Sequence, residues 1–203
     1  MVQFFDPIVI PPPRMGIFKR LGYRKDITRL TFQQEKETEG YIDEALSLIH
    51  LRGAAQRVAI KEKIATYVAL EGGEILKSRN LAAFLDNCPE VLLMGATAGG
   101  EVTEAIRIDS TGDRLTRGVV LDAAASEMVD AALDWIMGYF RQALRRESKV
   151  LMSKRYSAGY GDFLLSNQKM LFRLLQLDAI GVEITDYCIL VPEKSVTAVT
   201  GIR

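Results

Sequence analysis

The stretch LTRGVVLDAAASEMVDAALDWIMGYFRQALRR, residues Leu115–Arg146, carries the longest helical pattern of the chain. Its apolar side chains recur at spacings of three and four residues, so they fall on one side of an α-helix. This apolar stripe comprises Leu121, Ala124, Met128, Ala131, Trp135 and Tyr139. The pattern predicts a long helix that faces the core of the protein.

Shorter patterns on both sides of this helix predict a mixture of helices and strands. Residues 31–51 follow helical spacing, Thr31 with Gln34 matches a capping box, and Gly53 is expected to end the helix. Further helices are expected over 81–85 and over 166–177, with Ser166 as the N-cap. Strands are expected at 8–10, 57–61, 65–70, 91–94, 183–191 and 196–202. Since no repeat or linker interrupts them, these elements predict a single α+β domain over residues 1–203, with a mainly antiparallel sheet and flanking helices.

The composition is that of an ordinary globular protein. The 203 residues include 26 Lys and Arg and 26 Asp and Glu, so the formal net charge at pH 7 is zero. That balance argues against a general nucleic-acid binder, which needs a basic face. No apolar run is long enough to span a bilayer and the first residues lack a signal-peptide pattern, so we expect a cytoplasmic protein without membrane contact. The two distant cysteines, Cys88 and Cys188, argue against a disulfide framework and against a zinc site.

The stretch RYSAGYGD, residues Arg155–Asp162, concentrates groups that suit a small ligand. Arginine can hold a carboxylate through two parallel N–H donors. Gly159 and Gly161 allow a ligand to approach the main chain closely, and Tyr156 and Tyr160 offer flat apolar faces with a polar tip. These groups suit a ligand with a carboxylate, a ring and a positive centre. The alternative is an ordinary turn, because Gly-Tyr-Gly-Asp is also favourable turn chemistry.

The second half of the chain resembles the activation domain of cobalamin-dependent methionine synthase. That domain carries an R-x-x-x-G-Y signature for S-adenosylmethionine, which stands here as Arg155-x-x-x-Gly159-Tyr160. The resemblance continues, in the same order as in the family, through residues 96–99, 119–122, 168–177, 184–187 and 192–196. It implies the fold of that activation domain in a small stand-alone form.

The resemblance also implies a role in repairing an inactivated enzyme. In this family the cobalt occasionally falls to the inactive cob(II) state, a flavodoxin-type donor supplies one electron, and S-adenosylmethionine supplies the methyl group. A stand-alone copy would act in trans on a cobalamin-binding methionine synthase protein that lacks its own activation domain. The cobalamin would come with that partner, because the family's D-x-H-x-x-G signature has Leu48 in place of its aspartate before His50.

The residues of the signature loop match the parts of S-adenosylmethionine. Arg155 would bind the carboxylate through a charge-assisted pair. As in the family's loop, the adenine edge would meet the main-chain groups of Tyr156, Ser157 and Ala158, which lead into Gly159. The ring of Tyr160 would face the sulfonium in a cation–π contact.

Glu127 is the candidate site residue on the long helix. Its helical neighbours are alanines, which leave room for a ligand, so its carboxylate would face the ammonium or the sulfonium. The alternative is a solvated helix charge. Asp122 lies about 140° around the helix from Glu127, so these two carboxylates do not form an acid–base dyad.

Departures from the family pattern motivate a second hypothesis. The full-length enzymes have prolines in and after the motif, where this chain has Tyr156, Ala158 and Gly161, and they continue past the last strand, whereas this chain ends at Arg203. The second hypothesis is a non-catalytic docking protein for a corrinoid protein or its electron donor, with a decayed ligand pocket. Neither hypothesis gives the chain a catalytic group: it would position a methyl donor, and the cobalt would do the chemistry.

Overall fold

The computed structural model describes residues 1–24 and 26–203, and it consists of a curled antiparallel sheet with helices on both faces. The strands are β1 (Gln3–Phe5), β2 (Arg52–Ile64), β3 (Tyr67–Leu70), β4 (Ile75–Lys77), β5 (Glu90–Thr97), β6 (Glu183–Ile184), β7 (Leu190–Val191) and β8 (Ser195–Ile202). The helices are α1 (Arg14–Arg20), α2 (Phe32–Leu48), α3 (Arg79–Phe84), α4 (Gly100–Thr111), α5 (Leu115–Arg145) and α6 (Gln168–Leu175), and short 3-10 helices cover Leu165–Asn167 and Leu177–Ile180. This architecture confirms the predicted α+β class with a mainly antiparallel sheet and flanking helices. Within the described residues, no helix has both the length and the apolarity that a membrane crossing requires.

β5 lies between β2 and β8 in the main sheet. The strand order is β4-β3-β2-β5-β8, and β1 pairs with the first part of β2. Every residue of β5 is paired in antiparallel register with both β2 and β8. β6 and β7 form a separate two-stranded hairpin. Residues 91–97 of β5 are all buried, so the sheet is covered on both of its faces at this strand.

Two glycines allow helical segments to approach the sheet closely from opposite sides. A Cβ on Gly53 of β2 would lie 2.8 Å from Cδ1 of Ile136 on α5. A Cβ on Gly95 of β5 would lie 2.7 Å from Cδ2 of Leu177, in the 3-10 helix after α6. The expectation that Gly53 ends the first helix is therefore wrong: α2 ends at Leu48, and Gly53 lies within a strand that α5 contacts.

The two longest helices form where the sequence predicts them. The Oγ1 of Thr31 accepts the N–H of Gln34 at 3.2 Å, and the Gln34 side chain accepts the N–H of Thr31 at 2.9 Å, which confirms the capping box at the start of α2. The apolar face of α5 is rotated slightly from the predicted stripe in its second half. There Trp135 and Tyr139 are partly exposed and contact the ring of Phe5, and the core-facing residues are Ala132, Leu133, Ile136, Met137 and Phe140.

Three further details of the predicted elements are wrong. The segment 183–191 is not one strand, because it folds back on itself as the β6–β7 hairpin. Residues 8–10 do not form a strand; the edge strand is β1, and Ile8 donates its N–H to the carbonyl of Leu51 at 2.9 Å as an isolated contact. The reason is that Pro7 and residues 11–13, all prolines, have no N–H to extend a ladder. Ser166 is not an N-cap, because it lies inside the 3-10 helix that leads into α6 without a side-chain cap.

Candidate functional site

The loop that follows α5 is fixed to the edge of the main sheet before it reaches the signature glycine. Tyr156 exchanges two main-chain hydrogen bonds with Val199 of β8, both at 2.8 Å. Its ring packs between Phe84 of α3 and Phe163, with ring centroids 5.9 and 6.2 Å away. Tyr156 therefore anchors the loop to both the sheet and the apolar cluster around Phe163.

The loop closes on itself in a tight turn that requires its glycines. Gly159 has φ of 93° and Gly161 has φ of 55°, a left-handed conformation that L side chains adopt only with strain. Gly159 donates to the carbonyl of Phe163 at 2.8 Å, Phe163 donates to that of Tyr160 at 3.0 Å, and Tyr160 donates to that of Ser157 at 3.3 Å. The turn presents Tyr160 at its tip, where the residue is 70% exposed.

Asp162 braces the turn against the start of α3. Its carboxylate accepts hydrogen bonds from the hydroxyl of Ser78 and from the main-chain N–H groups of Arg79 and Asn80. The Ser78 hydrogen bond, followed by the two main-chain donors, lowers the pKa of Asp162 below its ordinary value. This arrangement fixes the turn to the N-terminal end of α3.

Arg155 reaches from the loop to α5, where two carboxylates hold it. One guanidinium nitrogen, Nη1, pairs with Oδ1 of Asp134. The other, Nη2, lies 3.3 Å from Oδ1 of Asp130 and 3.4 Å from the Asp130 carbonyl oxygen. Its side chain is 23% exposed, so this arginine is half-buried and already bridges the loop to the long helix.

Glu127 lies about one helical turn before Asp130 and two before Asp134, and it is held by a second arginine. Its Oε1 accepts from Nε of Arg20 on α1 at 2.7 Å, and Nη2 of Arg20 lies 3.4 Å from Asp130. The Glu127 side chain is only 22% exposed, so the alternative of a solvated helix charge does not describe it. A Cβ on Gly16 would lie 2.3 Å from Oε2 of Glu127, which shows how closely α1 covers this carboxylate.

Three carboxylates therefore form a row on one side of α5, which we call the acidic stripe: Glu127, Asp130 and Asp134. Their spacings of three and four residues place them on one helix face. Arg20 bridges the first two and Arg155 bridges the last two. The structure therefore places Arg155 and Glu127 on the same side of α5, linked through Asp130 and Arg20.

The sequence reasoning missed Arg20, Asp130 and Asp134. The spacing of the two aspartates from Glu127 was a usable signal, since it predicts a shared helix face. Arg20 carried no such signal, because α1 is distant in sequence from α5 and only the packing of the two helices brings it near.

Two grooves of the structure lie away from this loop. One, of about 430 Å³, runs between α1 and the start of α5, and its mostly apolar lining includes Phe18, Tyr23, Leu115 and Val119. Another, of about 570 Å³, lies between α4 and the turn before β8, with Arg107 and Glu193 in its lining. Neither is lined by a residue of the signature loop or of the acidic stripe.

Comparison with known proteins identifies the fold. No protein-family model matches the chain, and no curated protein matches it in sequence. Among solved structures, the crystal structure of the MetH reactivation domain bound to AdoHcy superposes with a TM-score of 0.69 and 11% sequence identity, over 99% of this chain and 78% of that chain. The resemblance of the sequence to a methionine synthase activation domain is thereby confirmed at the level of the fold. The chain has the fold of the MetH reactivation domain.

Proposed function

We propose that this chain binds S-adenosylmethionine and serves the reductive reactivation of the cobalamin of methionine synthase, acting in trans. One observation carries the proposal: the signature Arg155-x-x-x-Gly159-Tyr160 forms a braced turn in a chain with the fold of a reactivation domain whose crystal structure holds AdoHcy. AdoHcy is what remains of S-adenosylmethionine after its methyl group has left. A domain of this fold that binds AdoHcy supports a ligand of the same type here.

Arg155 would bind the ligand carboxylate by exchanging one of its helix partners. The pair with Asp134 is the one that would open, because the Asp134 side chain is 68% exposed. An ion pair at such an exposed position stabilises a protein by only about 0–1 kcal/mol. Opening this pair therefore costs the ligand little, and the guanidinium keeps a carboxylate partner when the ligand is bound.

The rest of the loop would position the adenosine and the sulfonium. The N–H and carbonyl of Tyr156 already bond to Val199, so polar main-chain contacts with the adenine fall mainly to Ser157 and Ala158. The exposed ring of Tyr160 would face the sulfonium, a cation–π contact of about 0.5–2 kcal/mol. Glu127, at the far end of the acidic stripe, would add attraction for the positive centres of the ligand.

The cobalamin belongs to the partner in this proposal. The position of the family's aspartate holds Leu48, and Nε2 of His50 faces Glu101 at 3.5 Å. Because the aspartate that orients the histidine in the signature is replaced, these residues do not fit the lower ligand of a cobalamin. The partner would therefore be a cobalamin-binding methionine synthase protein, and a flavodoxin-type protein would donate the electron.

A reactivation assay tests this proposal. A methionine synthase that lacks its own activation domain is brought to the inactive cob(II) state and given a reductant, S-adenosylmethionine and this chain, while the cobalamin spectrum is recorded. We expect methylation that depends on this chain, is lost in Arg155→Ala and is kept in Arg141→Ala, a control that removes an exposed arginine of α5. Equal methylation with and without the chain would contradict the proposal.

The second candidate function is a docking protein that binds a corrinoid protein or its electron donor without a small ligand. The observation that favours it is that Arg155 already has two carboxylate partners. The apolar groove with the exposed side chains of Leu115 and Val119 offers such a protein a surface. Capture of a corrinoid protein that is equally tight with and without S-adenosylmethionine would support docking. Capture that requires the ligand would support the first function.

A further inference from the structure

The apolar groove between α1 and the start of α5 is bordered by exposed apolar side chains, which we call the groove face: Met15, Phe32, Leu115 and Val119. Phe32 is 82% exposed, and each of the others is more than half exposed. Leu115 and Val119 line this groove, and Met15 lines a second groove beside it. Contiguous exposed apolar side chains mark an interaction site on a folded protein. We propose that the groove face binds the groove face of a second copy of the chain in a symmetric dimer.

The shape of the groove face is complementary to itself. Phe32 lies two residues after Leu30, which lines the apolar groove, but the ring of Phe32 lines neither groove and projects to solvent. The groove beside it has a volume of about 430 Å³, and its lining includes the rings of Phe18 and Tyr23. In a dimer with two-fold symmetry the same patch of both copies forms the contact. The Phe32 ring of each copy would therefore lie over the groove of the other.

The charged side chains beside Phe32 are also complementary to themselves. The second groove, of about 580 Å³, shares Phe18 and Tyr23 with the first, and both Arg29 and Glu35 line it. Within residues 1–24 and 26–203, neither Arg29 nor Glu35 lies within 4.0 Å of a group of opposite charge. Arg29 precedes Phe32 by three residues and Glu35 follows it by three. A two-fold axis beside Phe32 would place Arg29 of each copy near Glu35 of the other, which forms two equivalent ion pairs.

The balance of charge favours a second copy over a partner of one dominant charge. The second groove is lined by two arginines, Arg14 and Arg29, and by two glutamates, Glu35 and Glu39. A partner that is strongly acidic or strongly basic would bring like charges together at this surface, and like charges across an interface weaken binding. A second copy carries both signs in the matching arrangement, and the formal net charge of zero means that two copies do not repel each other as a whole.

The dimer contact leaves the candidate ligand site open. Neither groove is lined by a residue of the signature loop or of the acidic stripe. Dimerisation and ligand binding are therefore independent, and failure of either one leaves the other intact. A dimer would, however, cover Leu115 and Val119, so another protein could dock at this groove only on the monomer.

Sedimentation velocity over a series of protein concentrations tests the proposal. The proteins are the wild type, Phe32→Asp and a matched control, Tyr187→Asp, which changes an exposed ring at the tip of the β6–β7 hairpin. Phe32 is the first residue of α2, where a carboxylate is favourable, so Phe32→Asp is expected to keep the circular dichroism spectrum of the wild type. We expect the wild type to reach twice the chain mass of 22.6 kDa. Phe32→Asp should raise the dimer dissociation constant by at least about tenfold, and Tyr187→Asp should leave it unchanged.

A charge exchange tests the two-fold arrangement itself. Arg29→Glu and Glu35→Arg each place like charges across the contact and should weaken the dimer when studied alone. An equal mixture of the two variants places opposite charges at both positions, so it should form a mixed dimer about as stable as that of the wild type. A role of these residues within one chain would give no such rescue.

Three results would overturn the inference. One is a wild type that stays monomeric over the whole concentration series. Another is a dimer that Phe32→Asp and Tyr187→Asp form equally well. The last is a mixture of Arg29→Glu and Glu35→Arg that associates no more tightly than either variant alone. A monomeric wild type that still binds S-adenosylmethionine would overturn the dimer and leave the proposed function standing.

Discussion

The carboxylate of Asp109 is fully buried between α4 and α5, and we predict that its removal strongly destabilises the protein. Its Oδ2 pairs with Arg117 and its Oδ1 lies 3.1 Å from Nε of Arg114. Arg117 is itself nearly buried and also pairs with Glu44 of α2, so the group ties three helices together. The hydrogen bonds that Arg117 donates to Glu44 are the main reason why the pKa of Arg117 is raised above its ordinary value, so this guanidinium stays charged when Asp109 is removed.

The size of the effect follows from that retained charge. Removal of one partner of a buried ion pair costs about 3–5 kcal/mol, because the other charge stays buried. Since Arg117 keeps Glu44, we expect the lower end, about 3 kcal/mol, for Asp109→Ala. In a protein of this size each kcal/mol changes the melting temperature by about 2–4 °C, so the melting temperature should fall by about 6–12 °C.

Urea unfolding followed by far-UV circular dichroism measures this loss directly. The matched control is Glu104→Ala, which removes an exposed pair with Arg107 on the same helix and should change the free energy of unfolding by no more than about 0.5 kcal/mol. A loss of less than about 1 kcal/mol for Asp109→Ala would refute the reasoning, because it would mean that the buried network contributes no more than a surface ion pair.

Further predictions concern the sheet and the braced turn. Gly201→Ala places a Cβ 2.4 Å from Sγ of Cys88 and should lower the free energy of unfolding by about 1–3 kcal/mol in a urea titration. Gly138→Ala adds a Cβ that meets no described atom within 4 Å, and it should raise the free energy of unfolding by about 0.5–1 kcal/mol in the same measurement. Equal effects of these two substitutions would contradict the packing described here. Asp162→Asn should melt at a lower temperature than the wild type at pH 7, because Ser78 and its neighbours stabilise the ionised carboxylate. Since the folded pKa is lowered, that advantage is present above about pH 4 and is lost as the pH falls through the folded value. The difference in melting temperature between the two proteins should therefore shrink from pH 7 to pH 3. A constant difference would count against the brace.

The elements that the sequence predicts well are those with local signals. The helical spacing of α5 and the capping box at Thr31 depend only on residues within a few positions, and both form as expected. The details that failed depend on distant parts of the chain. Gly53 has the local sequence pattern of a helix stop. It lies instead in a strand, where the absence of a side chain lets α5 approach the sheet. Trp135 and Tyr139 fit the apolar stripe but lie at its exposed edge, where they contact the buried ring of Phe5 from β1, a residue distant in sequence.

The candidate site shows the same difference between local features, which the sequence predicts, and long-range contacts, which it does not. The turn chemistry of residues 155–162 is local, and the structure forms the turn with both glycines in the left-handed region. The partners of Arg155 are not local: Asp130 and Asp134 lie on α5, 25 and 21 residues earlier in the chain, and only tertiary packing brings them to its guanidinium. A sequence can therefore indicate that an arginine is available, but it does not show which carboxylates compete for it.

Calorimetric titration of S-adenosylmethionine into the wild type and into Arg155→Ala tests the central claim most directly. The account predicts measurable binding to the wild type and affinity lower by about one to two decades in the variant, the range expected when a charge-assisted contact of about 1.5–3 kcal/mol is lost. Arg141→Ala should bind as the wild type does. No heat of binding with the wild type, or equal affinities for the wild type and Arg155→Ala, would contradict it.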